Sequence, residues 1–351
     1  EISSLSAYAL IALGQDRRAL TSSYQYLIMG SVGATFIVIG IGLMYSVTGT
    51  LNMADLAMRL PTVAGRTIPV AFAFLAVGIS LKLALFPLHL WLPNAYTFAP
   101  SAVTAFIAST ATKVAVYMLL RFFFTVFGAA FSFEVMHLDR ILMPLALVAI
   151  VAMSLVAVYQ GNGKRLLAYS SVAQIGYMVL GISLASVLGV AAGILHLFNH
   201  ALMKGALFMA MGCVMYRVGS CRVEAMSGLG RTMPFTMAAF VVGGLSLIGV
   251  PLTVGFISKW YLVQAALEQG SWPIAAVVLL GSLLAVVYVW KVVEVAYFRP
   301  FPNGPGIREA PLSLLVPTWL LVLANLWFGI DAKATAGVAV RAAEMLLGVG
   351  S

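Results

Sequence analysis

Charged residues are scarce in this chain. Only 9% of its 351 residues are Asp, Glu, Lys or Arg, whereas a soluble globular domain carries about 25%. Hydrophobic residues make up 62%, and most apolar runs reach the roughly 20 residues that a membrane-spanning helix needs. The composition therefore excludes a soluble globular domain and indicates an integral membrane protein built from helices.

Cysteines and recognisable cofactor motifs are also lacking. Cys213 and Cys221 are too few for a disulfide framework, and we expect both to stay reduced. The sequence shows no redox-cofactor or nucleotide motif, so we predict a transport subunit without its own cofactor rather than an enzyme. The net charge of +9 comes largely from basic residues in short loops between apolar runs, so we infer no nucleic-acid partner.

Ten helical pieces follow one another in a single transmembrane domain, residues 1–351. Pro87 and Pro93 interrupt the third piece and Pro251 the eighth, because proline removes a backbone donor and clashes with the preceding turn. Broken helices at corresponding places in two halves are typical of inverted-repeat transporters. The predicted fold is all-α: a polytopic membrane helix bundle with broken helices and inverted repeats. We expect a fragment that lacks its first helices, because Glu1 leads directly into an apolar run. The pieces lie near residues 1–14, 24–48, 68–96, 101–128, 140–160, 165–184, 187–217, 234–268, 272–298 and 311–330.

Arginine and lysine favour one side of the predicted bundle. Nine lie in the loops after the first, fifth, seventh and ninth pieces, and five lie on the opposite side or in the tail. Because cytoplasmic loops carry the excess of basic residues, the nine residues are predicted to lie on the cytoplasmic side of a bacterial inner membrane. They are Arg17, Arg18, Lys164, Arg165, Arg217, Arg222, Arg231, Arg299 and Arg308.

Four lysines lie well inside predicted spans: Lys82, Lys113, Lys204 and Lys259. A charge at membrane depth is expensive and suggests a function, since a desolvated amine can release and regain a proton. Lys113 lies about 18 Å from the start of its helix at 1.5 Å per residue, too deep for its amine to reach the membrane surface easily. We predict a proton-carrying role for it; the alternative is a structural lysine that donates to helix carbonyls.

Two histidines share one helix face with Lys204. His196, His200 and Lys204 stand at positions i, i+4 and i+8, so they stack along the helix and could relay protons near neutral pH. The alternatives are interhelical hydrogen bonding and a metal site. We predict no metal site, because no third ligand lies close in sequence and Lys204 would repel a cation. His89, near the inner face, is either a proton-uptake group or an interfacial residue.

The two ends of this polar series carry different groups. Glu1 is the only carboxylate deep in the early helices, and facing Lys82 it would form an ion pair that favours the charged lysine when closed. The alternative is that Glu1 merely ends the chain. At the other end, Lys259 stands beside Ser258, where the second break could supply carbonyls and a proton could leave to the outer aqueous phase.

Five ordered motifs stand out in the sequence: KLALFPLHLWLPNAY (82–96), APSAVTAFIASTATKVAVYMLLRF (99–122), KRLLAYSSVAQIGYMVLG (164–181), HLFNHALMKGALFMAMG (196–212) and PLTVGFISKWYL (251–262). In these motifs the chain resembles the proton-conducting antiporter family, which includes Mrp-type Na⁺/H⁺ antiporter subunits and the antiporter-like subunits of respiratory complex I. The resemblance implies that Glu1 and Lys82 form an ion-pair switch. It also implies that Lys113 bridges to the His196–Lys204 series and that Lys259 is the terminal lysine.

With a lysine at the terminal position, the chain resembles the Mrp D-type subunit and two of the complex I subunits. The first prediction is therefore a proton-translocating subunit of a multi-subunit Na⁺/H⁺ antiporter, with other membrane subunits, the lipid bilayer, protons and Na⁺ or K⁺ as partners. The alternative is a proton-pumping subunit of a complex I-like NADH dehydrogenase or membrane-bound hydrogenase. A self-contained transporter of an organic solute belongs to another class, and a purely structural scaffold is disfavoured by the cost of four deep lysines.

Overall fold

The structure is a computed structural model that describes residues 2–14, 16–300 and 306–349. Within these ranges all regular secondary structure is helical, and the predicted all-α class is confirmed. The helices are α1 (Ile2–Ala12), α2 (Arg17–Thr48), α3 (Met53–Arg59), α4 (Thr67–Leu83), α5 (Trp91–Phe98), α6 (Ser101–Leu120), α7 (Leu138–Val158), α8 (Gly163–Ser183), α9 (Val187–Val218), α10 (Leu229–Thr232), α11 (Pro234–Ile248), α12 (Val254–Glu268), α13 (Trp272–Phe298), α14 (Leu312–Ile330) and α15 (Lys333–Leu347).

The helices define a multi-pass membrane protein. Seven in the described ranges are long and apolar enough to cross a bilayer: α2, α6 with its π-helical extension to Val126, α7, α8, α9, α13 and α14. Three shorter apolar helices, α1, α4 and α11, complete a set that matches the ten predicted pieces. The sequence did not predict α3 or α15, because neither has the length and apolar content of a span. Along α15, Ala336, Ala339 and Ala343 are buried on one side, and the helix packs against α9.

Both predicted helix breaks are present, but Pro93 does not interrupt the chain: it lies in the first turn of α5, where proline is tolerated because no helical N–H is lost. The first follows Leu83, where Ala84 has a left-handed backbone (φ 58°), and the chain resumes as a helix at Trp91. The Leu81 carbonyl at the end of α4 accepts from the indole Nε1 of Trp91 at 3.0 Å and from the Ala84 amide at 3.2 Å, so the start of α5 is bonded to the end of α4.

The second break separates α11 from α12. Gly249 has φ 94°, a conformation that favours glycine, and ends α11. The two half-helices then approach closely, since a Cβ on Gly255 would lie 1.8 Å from the Ser246 carbonyl oxygen. Only glycine fits at this contact. The proposed inverted-repeat relationship between the two breaks stays a prediction.

Helices α8 and α9 form the centre of the bundle. In α8, 94% of the most apolar window is buried inside the protein, so this helix is surrounded by other helices rather than by lipid. The 32-residue α9 packs against α6, α8, α11, α12, α14 and α15. Polar side chains at the contacts of α9 with α6, α8 and α12 are therefore shielded from the lipid.

Candidate functional site

Three of the four predicted lysines are buried within the bundle. Lys113 on α6, Lys204 on α9 and Lys259 on α12 have relative exposures of 8%, 0% and 6%. All three side chains are therefore enclosed by the protein rather than exposed on its surface. In the described parts of the chain, none of them pairs with a carboxylate. An uncompensated charge in such an interior is costly, which makes these amines candidates for proton exchange.

Lys113 lies on α6 and is buried against its neighbours. Its Nζ donates to the Ala108 carbonyl of its own helix, the kind of contact that a structural lysine would also make. Helix α6 packs against α9, which carries His196, His200 and Lys204. The structure therefore brings together the four residues that the sequence had grouped.

Lys204 is bound to α8. Its Nζ donates to the Leu167 carbonyl at 2.8 Å and to the Ser170 hydroxyl. Both acceptors are uncharged, so they hydrogen-bond the amine without neutralising its positive charge.

The second helix break supplies acceptors for Lys259. Its Nζ donates to the carbonyls of Leu247 and Ile248, at 3.0 and 2.9 Å, and to the Ser282 hydroxyl at 2.9 Å. The two carbonyls belong to the last turn of α11, where no further helical N–H follows to bond them. The negative end of the α11 dipole also favours a cation here. Breaking the helix thus creates the polar environment of this lysine.

His196 connects three helices. Its Nδ1 lies 2.8 Å from Oγ of Ser258 on α12, and its Nε2 lies 2.8 Å from Oε1 of Gln174 on α8. With the amide oxygen facing Nε2, this nitrogen carries the hydrogen and Nδ1 accepts from the serine. Both nitrogens are engaged in interhelical hydrogen bonds, so binding a metal here would first require breaking one of them.

His200 has no such partners. It is 1% exposed and its ring centroid lies 6.3 Å from that of His196. Neither ring nitrogen of His200 has a hydrogen-bond partner among the described residues. Buried polar atoms almost always have a partner, and ordered water commonly fills that role.

Tyr177 on α8 is a residue that the sequence analysis missed. The Nζ of Lys259 lies 4.8 Å from its ring centroid, and the His196 ring lies 5.5 Å from it. The phenol therefore stands between a lysine and a histidine of the predicted series, where its ring face can attract a cation. A signal was available: Ser170, Gln174 and Tyr177 stand at i, i+4 and i+7 along α8 and face the polar residues of α9.

The remaining predicted residues lie around the first break. Lys82 is half-buried in the last turn of α4 and donates to the Ser4 hydroxyl at 3.1 Å. Glu1, its predicted partner, lies outside the described residues, so that pair stays a prediction. His89 is buried in the break itself, and its ring stacks on Phe86 with centroids 5.4 Å apart.

One residue of the loop-charge comparison, Lys164, is not an exposed loop residue. The sequence placed it in a loop, but it lies in the first turn of α8 and is only 3% exposed. Its Nζ donates to the Ala99 carbonyl at 2.8 Å. Without this buried lysine, the comparison is eight basic residues on the predicted cytoplasmic side against five on the other, so the predicted orientation does not change.

An all-α membrane bundle with polar side chains buried at its centre defines the class of this protein. The chain is an antiporter-like membrane subunit. Residues 1–285 match the family described as "NADH:quinone oxidoreductase/Mrp antiporter, TM", and the chain belongs to that family.

Relatives of the chain occur in two kinds of assembly. The N-type subunit of the NADH-quinone oxidoreductase of Desulforudis audaxviator is 43% identical over 344 residues, which cover 94% of this chain and 68% of that protein. The D-type subunit of the Na⁺/H⁺ antiporter of Alkalihalophilus pseudofirmus is 31% identical over 350 residues, 99% of this chain and 70% of that protein. A chain of the Mrp complex from Dietzia sp. superposes with a TM-score of 0.89 at 27% identity, covering 97% of this chain and 71% of that one.

Proposed function

We propose that this chain translocates protons along a mid-membrane row of titratable side chains, as one member of a multi-subunit assembly in a bacterial cytoplasmic membrane. One observation carries the proposal: Lys113, Lys204 and Lys259 are buried in the bundle without a carboxylate partner in the described parts of the chain. A stable bundle would not need three such costly groups. Their use as proton carriers accounts for their presence.

The contacts suggest an order of transfer along the row. Lys259 faces Tyr177 and, beyond it, His196. His200 stands one turn further along α9 and Lys204 one turn beyond it, and α6, which carries Lys113, packs against this helix. The ring centroids of the two histidines lie 6.3 Å apart, too far for a direct hydrogen bond between their side chains. Water must bridge such gaps, and the unpartnered ring nitrogens of His200 are its natural binding points.

The other end of the row lies at the first break. Lys82 would exchange its proton with Lys113 when its predicted ion pair with Glu1 opens. His89 in the same break is the candidate for proton uptake from the inner aqueous phase. Lys259, beside the second break, would then release protons to the outer phase.

For the assembly, we place a complex I-like quinone oxidoreductase first. From the sequence alone a Na⁺/H⁺ antiporter ranked first, but the 43% identity to an N-type oxidoreductase subunit exceeds the 31% identity to a D-type antiporter subunit. A monovalent cation/proton antiporter is the second candidate, supported by the superposition on a chain of the Mrp complex. Co-purification separates the two: iron–sulfur proteins would support the first, and small Mrp-type membrane proteins without them would support the second.

The translocation proposal is tested by Lys204→Ala in the intact assembly. The matched control is Lys291→Ala, because Lys291 also donates to main-chain carbonyls, those of Val158 and Gln160 at 3.0 Å each, but lies outside the row. We expect the Lys204 variant to lower proton flux into inverted vesicles by about tenfold or more, equivalent to roughly 1.4 kcal/mol of barrier. The control should keep most of its flux. Normal flux in an assembled Lys204→Ala variant would contradict the proposal.

A further inference from the structure

A basic cleft of about 450 Å³ lies apart from the row of titratable groups, at the start of α2 and α8. Arg18, Arg165 and Arg222 line it, and Glu224 is its one acidic side chain among the described residues. Arg18 also lines a neighbouring pocket that contains Arg17. The cleft therefore carries an excess of positive charge on the face that the loop-charge comparison predicts to be cytoplasmic.

The backbone holds two of these arginines in a fixed relation. The loop before α8 and the loop after α9 are joined by two main-chain hydrogen bonds, Gly163 N to Cys221 O at 2.7 Å and Val223 N to Gly161 O at 2.9 Å. Arg165 and Arg222 each lie within two residues of these bonds. The convergence of their side chains is thus a property of the fold and not of two independent loops.

The arginine side chains of the cleft make few polar contacts with the described residues. None of the three arginines forms an ion pair in the described parts of the chain, and Nε of Arg165 is buried without a hydrogen-bond partner there. Arg18 and Arg165 only approach aromatic rings, those of Phe98 at 5.9 Å and Tyr169 at 5.8 Å. A guanidinium offers five N–H donors, so an anion in the cleft would find several of them free.

We propose that this cleft binds the phosphate headgroup of an anionic phospholipid. The cleft lies where two membrane-spanning helices begin, which is the level of the lipid headgroups. Guanidinium groups bind phosphate with two parallel hydrogen bonds, and basic pockets between spanning helices on the cytoplasmic side suit such headgroups. Leu20 and Tyr159, next to the cleft in sequence and both more than half exposed, offer an apolar and interfacial surface for the rest of the lipid.

The test measures binding of tail-labelled phosphatidylglycerol to the purified full-length protein in detergent. The variant combines Arg18→Gln, Arg165→Gln and Arg222→Gln. The control removes three arginines outside the cleft on the same predicted side, with Arg231→Gln, Arg299→Gln and Arg308→Gln. We expect each cleft arginine that is removed to weaken binding by about fivefold, while the control changes it by less than about twofold.

Three further arms identify the ligand. Unlabelled phosphatidylglycerol should displace the probe and phosphatidylcholine should not. Displacement by inorganic phosphate at the same concentration as the lipid would assign the cleft to a soluble anion and overturn the lipid. Cross-links from the cleft to an acidic segment of a neighbouring protein in the intact assembly would overturn it in favour of a protein partner. If the triple variant does not fold, Arg222→Gln alone, in an exposed loop, should still show the fivefold loss; unchanged binding would overturn the proposal.

Discussion

Nδ1 of His196 and Oγ of Ser258 lie 2.8 Å apart, between α9 and α12. The same hydroxyl lies 3.4 Å from the Gly255 carbonyl. A hydroxyl both donates and accepts, so Ser258 can donate to a neutral imidazole. It can equally accept from a protonated one while turning its hydrogen toward Gly255. The contact therefore suits both protonation states of the histidine, as a relay requires.

Ser258→Ala should slow proton flux while the assembly stays intact. The variant leaves Nδ1 without its partner in a buried site, a loss of about 1–3 kcal/mol in one protonation state or both. We expect a fall of roughly tenfold in flux into inverted vesicles. Ser183→Ala is the control, because Ser183 is buried at 1% exposure and bonds only to a carbonyl of its own helix. Equal effects in the two variants would argue that His196 needs no hydroxyl partner.

The features of this protein that could be predicted from the sequence are those that depend on local chemistry. Pro87 and Pro251 indicated the breaks because proline removes a backbone donor, although α7 and α14 continue through Pro144 and Pro317. Lys113 stood out because a charge at membrane depth has few structural reasons. The partners that side chains contact across the bundle could not be predicted from the sequence. The acceptor of Lys164 lies 65 residues away in sequence, so nothing in the neighbouring residues indicated that this lysine is buried.

Polar residues of ordinary type escaped for a related reason. Gln174 and Tyr177 are common residues whose importance depends on what faces them, and only the packing of α8 on α9 brings His196 to both. Their spacing along α8 predicts a shared face but not the partner of that face.

Tyr177→Phe and Tyr177→Leu should separate the ring from its hydroxyl. The ring stands 4.8 Å from Nζ of Lys259, whereas the hydroxyl donates to the Val278 carbonyl at 3.2 Å. Because a desolvated cation–π contact contributes about 2 kcal/mol, we expect phenylalanine to keep most of the proton flux and leucine to lose most of it. Equal losses in both variants would show that the hydroxyl, and not the ring face, is what transfer requires.

Gly255→Ala should disturb the second break. The added Cβ would meet the Ser246 carbonyl at 1.8 Å, so α11 and α12 must move apart at a cost of about 1–3 kcal/mol. We expect a lower thermal unfolding midpoint of the purified protein and weaker contacts of Lys259 with α11. Gly42→Ala is the control, because no atom lies within 4 Å of its added Cβ. An unchanged midpoint for Gly255→Ala would contradict the close approach of the half-helices.

Glu309→Ala should loosen the start of α11. One carboxylate oxygen of Glu309 accepts from the Phe235 and Thr236 amides, at 2.8 and 3.3 Å, so it satisfies N–H groups that a helix start leaves free and complements the dipole. Loss of such a cap costs about 1 kcal/mol. The thermal midpoint should fall measurably, less so for Glu309→Gln, and not for Glu268→Ala, which removes an exposed acid at the end of α12. A fall of equal size in the Glu268 variant would remove the capping explanation.

Lys113→Arg distinguishes a titrating amine from a fixed charge. Arginine keeps the positive charge but does not deprotonate in proteins, so it can hold the electrostatic position of Lys113 without passing a proton. The most direct measurement is proton flux into inverted vesicles by the intact assembly carrying this substitution, with the protein content of the assembly checked in the same vesicles. We predict that flux falls to the level of Lys113→Ala; full flux in the arginine variant would contradict proton transfer through this residue.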